Sequence, residues 1–386
     1  MRVLISGGGT GGHIYPALSV ARQLHDIYHA DILYLGSDDG METRLVPEAG
    51  FRLATVKAGK LRRYVSWGTV TGVARVPVGM AQAIGIVRNF RPDVAFTSGG
   101  YVAVPAGLAA RLNGVPLLMH QQDVSPNLSN RLIAPLATRI SVAFADSQRY
   151  FPAHKTVHLG NPVRQAILDV RQTTPQQART ALGFDPQLPL ILVTGASQGA
   201  RHLNQVLCEA LVLLLPRYQV LHLSGAKLFE ETRVLSESNM EGLDAETKQR
   251  YRLVPYLADE MPLALQAADL VICRAGASTL SELAVLSKPS ILIPLPPGFG
   301  GSPQEVNADM FERQRAAIAL HDSDLQPEVL SVLAESIITD PPHSQAMAEA
   351  TGRLGKPEAT QEIVETIVKM AKIPVKKTPE HEVMNI

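Results

Sequence analysis

The sequence predicts an α/β protein made of two doubly wound, parallel-sheet domains. Three observations carry that prediction. Short, near-continuous apolar runs alternate with helix-length segments, as parallel strands buried on both faces require. The alternation runs to about residue 160 and then starts again. The chain has 386 residues, and at roughly 150 residues per domain that length suits two domains.

In the first half the apolar runs fall at 3–6, 32–35, 53–56, 94–97, 116–119 and 140–142. Helical patterns lie between them, for example at 13–28 and 101–112. In the second half the runs fall at 190–194, 220–223, 252–254, 270–273, 290–293 and 317–320. A seam is expected near 160–164, where LGNPVR supplies a glycine and a proline. The expected domains are therefore 1–160 and 161–372, with the last helix able to pack back on the first domain. The polar, proline-containing tail 373–386 is expected to be disordered. Ligands of open α/β sheets bind beyond the carboxyl ends of the strands, so the cleft between two such domains is the expected active site.

Lys plus Arg is 36 and Asp plus Glu is 36, a net charge of zero. That zero is a cancellation. Residues 1–160 carry 16 basic against 9 acidic side chains, and residues 161–386 carry 20 against 27. The balanced total argues against a protein that coats nucleic acid, and a single Trp makes a poor stacking platform. The basic excess sits in 49–92, which has eight basic residues (Arg52, Lys57, Lys60, Arg62, Arg63, Arg75, Arg88 and Arg91) and no acid. Interleaved are Leu61, Tyr64, Val65, Trp67, Val70 and Val76. Basic and apolar residues with an aromatic anchor suit an anionic membrane surface over 52–91. The plain alternative is an amphipathic helix with a solvated basic face. Residues 3–21 carry no charged side chain, but five glycines, His13 and Pro16 make them neither a spanning helix nor a signal peptide. Cys208 and Cys273 lie in apolar runs and read as buried reduced thiols of a cytoplasmic protein.

Three glycine-rich loops carry the chemistry. The first, SGGGTGGH at 6–13, follows a strand and opens a helix. Its glycines allow close backbone approach, and the helix start favours an anion. Gly7, Gly9 and Gly12 also fit G-x-G-x-x-G, with Asp38 as a candidate ribose acid, so a nicotinamide or flavin site stays open. A purely structural turn stays open too. The second loop, TGASQGAR at 194–201, looks like a phosphate cradle with Ser197 as an added donor. The third, RAGASTLSE at 274–282, places Glu282 where a carboxylate can accept both hydroxyls of a ribose. Two such loops and an acid in one domain suggest a nucleotide diphosphate there. The first domain's loop then serves a second anionic ligand, which suits a transferase better than a dehydrogenase.

Five motifs stand in order along the chain: GGTGGH at 8–13, SGGY at 98–101, GNPVR at 160–164, GASQGAR at 195–201 and CRAGASTLSE at 273–282. Together they resemble the MurG family of bacterial N-acetylglucosamine transferases, from residue 1 to about 370. The resemblance implies a GT-B fold with two Rossmann-like domains. It implies UDP-N-acetylglucosamine as donor and undecaprenyl-pyrophosphoryl-N-acetylmuramoyl-pentapeptide as acceptor. It also implies an inverting transfer that makes a β-1,4 bond, at the cytoplasmic face of the cell membrane, with the enzyme bound peripherally.

Carried over, the resemblance puts Arg164, Ser197, Gln198 and Gly199 on the donor diphosphate. It puts the Leu257 backbone on uracil, and Ala277, Ser278 and Thr279 around the phosphate and sugar. Glu282 takes the ribose, and Gln304 and Asn307 the sugar hydroxyls. Thr10, Gly11, Gly12 and Tyr101 serve the acceptor and its pyrophosphate. His13 is the candidate base, because an imidazole suits proton transfer near neutral pH. No metal is expected on protein side chains, although soluble magnesium can ride on the UDP diphosphate. Asp322-Ser323-Asp324 imitates a metal-binding Asp-x-Asp, but Asp324 is expected to cap the helix that follows.

The chain departs from the family twice. It has His120-Gln121-Gln122-Asp123 where His-Glu-Gln-Asn is usual, and Ser302-Pro303-Gln304 where Asp-His-Gln is frequent. The first change supplies a carboxylate, and Asp123 is expected to orient or charge His13 as in His–Asp pairs. The second removes two polar side chains near the donor sugar. The rival readings are a GT-B transferase with another lipid acceptor, a nicotinamide-dependent oxidoreductase and a non-catalytic sugar-nucleotide binding subunit.

Overall fold

The computed structural model describes residues 1–57, 67–195, 199–295 and 304–372, with 67–76 described by backbone alone. Among the described residues, the first sheet has seven strands. They are β1 (Arg2–Ser6), β2 (Asp31–Ser37), β3 (Arg52–Val56), β4 (Val94–Thr97), β5 (Leu117–Gln121), β6 (Arg139–Val142) and β7 (Thr156–His158). The second sheet has six: β8 (Leu190–Thr194), β9 (Gln219–Leu223), β10 (Tyr251–Val254), β11 (Leu270–Cys273), β12 (Ser290–Leu292) and β13 (Ile318–Ala319).

Every pairing is parallel. Val3 of β1, for example, is in register with Ile32 of β2 and Val94 of β4. The central strands β4, β5, β8, β9 and β11 are buried at every residue. That is why they read as mostly apolar runs rather than as alternation, with His120, Gln121, Gln219 and His222 among the buried polar exceptions. Strand β7 was not foreseen. It has three half-buried residues, Thr-Val-His, at the sheet edge, too short and too polar to register as an apolar run. Strand β13 is two residues long, shorter than the expected 317–320.

Strand order decides where a ligand can sit. The first sheet runs β3-β2-β1-β4-β5-β6-β7 and the second β10-β9-β8-β11-β12-β13. The order therefore reverses between β1 and β4, and again between β8 and β11. At such a switch point the connections leave toward opposite faces and open a crevice at the carboxyl ends. The 6–13 and 98–101 motifs leave β1 and β4. The 194–201 and 273–282 motifs leave β8 and β11. Each sheet thus brings its own pair of motifs to its own switch point.

The chain forms two compact units. One holds residues 1–122, 126–162 and the chain from Glu358 onward; the other holds 123–125 and 163–357. The helix Ala359–Met370 belongs to the first unit. Its Ile363, Val364, Ile367 and Val368 are fully buried in one core cluster with Ala17, Val20, Ala21 and Leu24 of the helix Gly11–Tyr28. The spacing 363, 364, 367, 368 is one face of a helix. Each such side chain contributes about 1.5–3 kcal/mol on burial. Among the described residues no helix is long and apolar enough to cross a membrane.

Candidate active site

All three glycine-rich loops feed helices of one kind. The helices Gly11–Tyr28, Arg201–Leu214 and Ala277–Leu286 have no acidic side chain in the first turn. Their caps, Thr10, Ala200 and Gly276, accept no side-chain cap hydrogen bond. A helix start that carries no acid of its own keeps its positive end for an outside anion. Glu282 lies in the second turn of its helix, not the first.

In the first unit the loops after β1 and β4 interlock. Gly100 has φ +85°, and a Cβ there would lie 2.1 Å from the Gly8 carbonyl oxygen. The Ser98 hydroxyl donates to the His13 carbonyl at 2.7 Å. The His13 Nδ1 lies 3.0 Å from the Ser98 carbonyl oxygen, and Gln122 donates to that same oxygen at 3.1 Å. A carbonyl only accepts, so Nδ1 carries the ring proton. Nε2 then holds the lone pair of the neutral imidazole, the atom a general base needs. Thr10 is exposed, and Gly11, Gly12 and His13 are half-buried, so this helix start reaches solvent. The Tyr101 hydroxyl lies 2.7 Å from Ser37 Oγ. Burial, with the nearby acids Glu42 and Asp39, lifts its pKa to about 12.

Behind this loop His120 is fully buried. Its Nε2 donates to Asn161 Oδ1 at 3.0 Å, and its Nδ1 accepts from Ser141 Oγ at 2.9 Å. Asn161 is the asparagine of GNPVR, so two motifs meet here. Burial lowers the His120 pKa to about 4. In the second unit His222, bonded to Asn204 Oδ1 and the Tyr251 hydroxyl, is lowered by burial to about 3. Both folded pKa values lie below the unfolded value of about 6.5. Between pH 6.5 and 4 the unfolded chain therefore binds more protons, and stability falls as pH falls. The expected loss at pH 5.5 is about 1 kcal/mol for each histidine. Urea unfolding at pH 8 and pH 5.5 measures it, and the His120→Gln variant should show a shallower pH dependence than the wild type.

In the second unit Arg164 Nε donates to Glu282 Oε1 at 3.1 Å, and its Nη1 donates to the Ala258 carbonyl at 3.4 Å. Burial raises the Glu282 pKa, and Arg164 opposes the rise. The two residues expected at the donor site thus meet as a partly buried pair. Ser278 and Thr279 are half-buried in the first turn after Ala277. Leu257 follows β10 with a buried side chain, so only its backbone can serve a ligand. Gln304 Oε1 accepts from Leu295 N at 3.1 Å, and its Nε2 lies 3.8 Å from where a Gly276 Cβ would be. Gly199 has φ +76°, and its Cβ position is 2.1 Å from the Ser224 carbonyl oxygen.

Some expectations change. Asn307, expected at the sugar hydroxyls, is 0% exposed. Its Nδ2 donates to Asp123 Oδ1 at 2.9 Å and to the Ala275 carbonyl at 3.0 Å, and its Oδ1 accepts from Val124 N at 2.9 Å. With no exposed surface it offers a ligand nothing directly; it ties segment 123–125 to the loop after β11. Within the first unit His13 Nδ1 donates to the Ser98 carbonyl, and within the second Asp123 accepts from Asn307. Asp324 is not a helix cap. It ends a single 3-10 turn, and the N-cap position of the next helix, Pro327–Ile338, is Gln326, whose side chain makes no cap hydrogen bond. Its partner Asp322 accepts from Arg274 at 2.6 Å and pairs with His202 at 2.9 Å, which makes it an ion-pair acid. Cys208 and Cys273 are buried and free, with thiol pKa values pushed by burial to about 12.

Ser197, Gln198, Ser302, Pro303 and the tail 373–386 lie outside the described residues. So do Lys60, Leu61, Arg62, Arg63, Tyr64 and Val65, while the side chains of Trp67, Val70, Arg75 and Val76 are not described. Of the remaining basic stretch, Arg52, Lys57, Arg88 and Arg91 are exposed. Arg52 pairs with Asp31 and lies over the Phe90 ring.

The glycosyltransferase family 28 N-terminal domain matches residues 3–142, and the C-terminal domain of the same family matches residues 190–365. The chain belongs to glycosyltransferase family 28. Curated members of this family are similar to it over nearly their whole length. One from Halothermothrix orenii is 38% identical over 96% of this chain and 100% of its own. One from Desulforudis audaxviator is 38% identical over 96% and 99%. Both are named UDP-N-acetylglucosamine–N-acetylmuramyl-(pentapeptide) pyrophosphoryl-undecaprenol N-acetylglucosamine transferase. A crystal structure of MurG from Acinetobacter baumannii is 28% identical, with a TM-score of 0.74, covering 95% of this chain and 99% of that one. The family 28 fold here is GT-B, two doubly wound α/β units. A UDP-GlcNAc 2-epimerase from Neisseria meningitidis shares the fold at 15% identity, with a TM-score of 0.67 over 96% and 100%.

Residues that sequence reasoning passed over are Ser98 as the His13 partner, Asn161 as the His120 partner, and Glu42. The first two lie inside the SGGY and GNPVR motifs, so their motif membership was the available signal. Glu42 had a weaker one. Of the acids after β2, Asp38 was weighed as a ribose acid, yet Asp38 is exposed and Glu42 is buried.

Proposed function

We propose that the chain transfers N-acetylglucosamine from UDP-N-acetylglucosamine to the 4-hydroxyl of undecaprenyl-pyrophosphoryl-N-acetylmuramoyl-pentapeptide, with inversion. One observation supports this above all. Three helix starts free of first-turn acids stand at two switch points, one in the first unit and two in the second. That is a site for one anionic ligand and a site for a diphosphate with a second loop beside it. A dehydrogenase needs only the first.

In this reading the acceptor pyrophosphate lies on Thr10-Gly11-Gly12 near Tyr101, and His13 Nε2 takes the proton of the acceptor 4-hydroxyl. The oxygen attacks the sugar anomeric carbon while the bond to the diphosphate breaks and UDP keeps the electron pair. Arg164, Ser197, Gln198, Gly199 and the helix start at Ala277 to Thr279 meet the charge that develops on UDP. Glu282 holds the ribose, the Leu257 backbone the uracil and Gln304 the sugar. Asn307 acts indirectly, by holding the loop that precedes Ala277. Asp123 is assigned to orienting the base. No metal on side chains is part of this reading; magnesium enters only with the UDP diphosphate. The enzyme docks peripherally at the cytoplasmic membrane face through 52–91, where exposed Arg52, Lys57, Arg88 and Arg91 suit anionic lipid.

The test is transfer itself. Purified protein with radiolabelled UDP-N-acetylglucosamine should label the lipid-linked muramoyl-pentapeptide and leave diacylglycerol unlabelled. Label on diacylglycerol alone would move the protein to another acceptor class. UDP binding without any transfer would make it a binding subunit.

A further inference from the structure

Glu42 has a placement in the first unit that the proposed reaction does not explain. Its side chain is 0% exposed, and among the described residues no basic side chain pairs with it. A buried carboxylate without a cation is costly unless hydrogen bonds satisfy it. Here they do. Oε1 accepts from Ser37 N at 2.9 Å and from Ser37 Oγ at 2.7 Å. Oε2 lies 3.5 Å from Gly9 N, the long limit of a hydrogen bond.

The surroundings are built to admit it. A Cβ at Gly8 would lie 2.6 Å from Oε1, one at Gly40 would lie 2.2 Å from Oε2, and one at Gly36 would lie 2.6 Å from its Cγ. Three glycines from three different segments make room for one carboxylate. Two of them, Gly36 and Gly40, lie outside the ligand-facing loop, so a phosphate-binding role for that loop does not account for them.

We propose that Glu42 is a positioning residue that fixes the acceptor's glycine loop from its buried side. The carboxylate holds Gly9 at φ +88° and so sets where the amides of the following helix start point. It also sets the direction of a proton chain. Ser37 must donate its only hydroxyl hydrogen to the carboxylate. Ser37 Oγ therefore accepts from the Tyr101 hydroxyl, which lies 2.7 Å from it and 3.4 Å from the competing acceptor Asp39 Oδ1, and the β4 loop is tied to the β1 loop through Glu42. A carboxylate is required because Gly9 N, Ser37 N and Ser37 Oγ are all donors. A glutamine presents one oxygen and one NH₂ group, and cannot accept on both sides at once.

This inference rests on the acceptor reading of the 8–13 loop, and the experiment separates the two. Glu42→Gln is compared with wild type by steady-state kinetics and by hydrogen exchange of backbone amides. The expected result is a roughly tenfold rise in acceptor KM, as one lost charge-assisted hydrogen bond implies, with the UDP-N-acetylglucosamine KM unchanged. Exchange should quicken at 8–13 and 98–101 and stay unchanged at 199–225 in the second unit. Unaltered exchange at 8–13 in the folded variant overturns the inference whatever the activity. Altered exchange with no transfer by the wild type overturns the acceptor reading instead. Should Glu42→Gln not fold, Ser37→Ala removes the hydroxyl that joins Glu42 to Tyr101, leaves the Ser37 N bond to Glu42 in place, and should quicken exchange at 98–101; no change there also overturns the inference.

Discussion

The His13→Gln enzyme is expected to turn over about 10²- to 10⁴-fold more slowly than wild type, the range a general base contributes, with both KM values little changed. The amide can still donate to the Ser98 carbonyl, so the helix start keeps its shape. What it lacks is a basic nitrogen at the Nε2 position. In wild type kcat should fall on the acid side as the imidazole protonates, and in the variant that limb should vanish. Steady-state kinetics across pH 5.5 to 9 (a range chosen to span the ordinary histidine value of about 6.5) measures both effects. A normal kcat would remove His13 as the base. The Asp123→Asn enzyme should also lose much of its kcat. A normal kcat with a lowered melting temperature would leave Asp123 as the anchor of Asn307 and nothing more.

Replacing Glu282 by Ala should weaken UDP-N-acetylglucosamine by about 10²-fold, the factor that corresponds to the 1.5–3 kcal/mol of a hydrogen bond to a charged group together with the unpaired Arg164. Acceptor KM should not move, since Glu282 belongs to the second unit. Calorimetric titration with UDP reads the loss without any acceptor present. The pH dependence has a definite sign. Burial raises the Glu282 pKa despite Arg164, so the carboxylate takes its proton at a higher pH than an ordinary one. UDP affinity should therefore fall on acidification before other carboxylates titrate, and the Ala variant should lack that fall. An Ala variant that binds UDP like wild type would take Glu282 out of the donor site.

Much of the fold was legible because its strands are short and doubly buried. Runs such as Leu190–Thr194 and Val94–Thr97 are apolar at nearly every position, and only a parallel sheet covered on both faces needs that. Edge strand β7 escaped for the converse reason: its half-buried Thr156–His158 carries no apolar signature. The glycine loops themselves were legible because a tight strand-to-helix turn with positive φ or close backbone approach, as at Gly9 and Gly199, has few residue choices. Partners far apart in sequence were not. His13 and Ser98 are 85 positions apart, and Asp123 and Asn307 are 184 apart. No local pattern encodes such a pair.

The sequence by itself determined the fold class, the two pairs of glycine-rich motifs and the family, because each depends on residue types at short, fixed spacing. It also located the charge asymmetry between the halves. The tertiary structure alone decided which nitrogen of His13 holds the lone pair, that Asn307 is buried against Asp123, Val124 and the Ala275 carbonyl, and that Glu42 rather than Asp38 is the buried acid after β2. Those are questions of proton direction and burial. They depend on which distant carbonyl, hydroxyl or glycine the chain brings within about 3 Å, and that is set by strand order, not by local spacing.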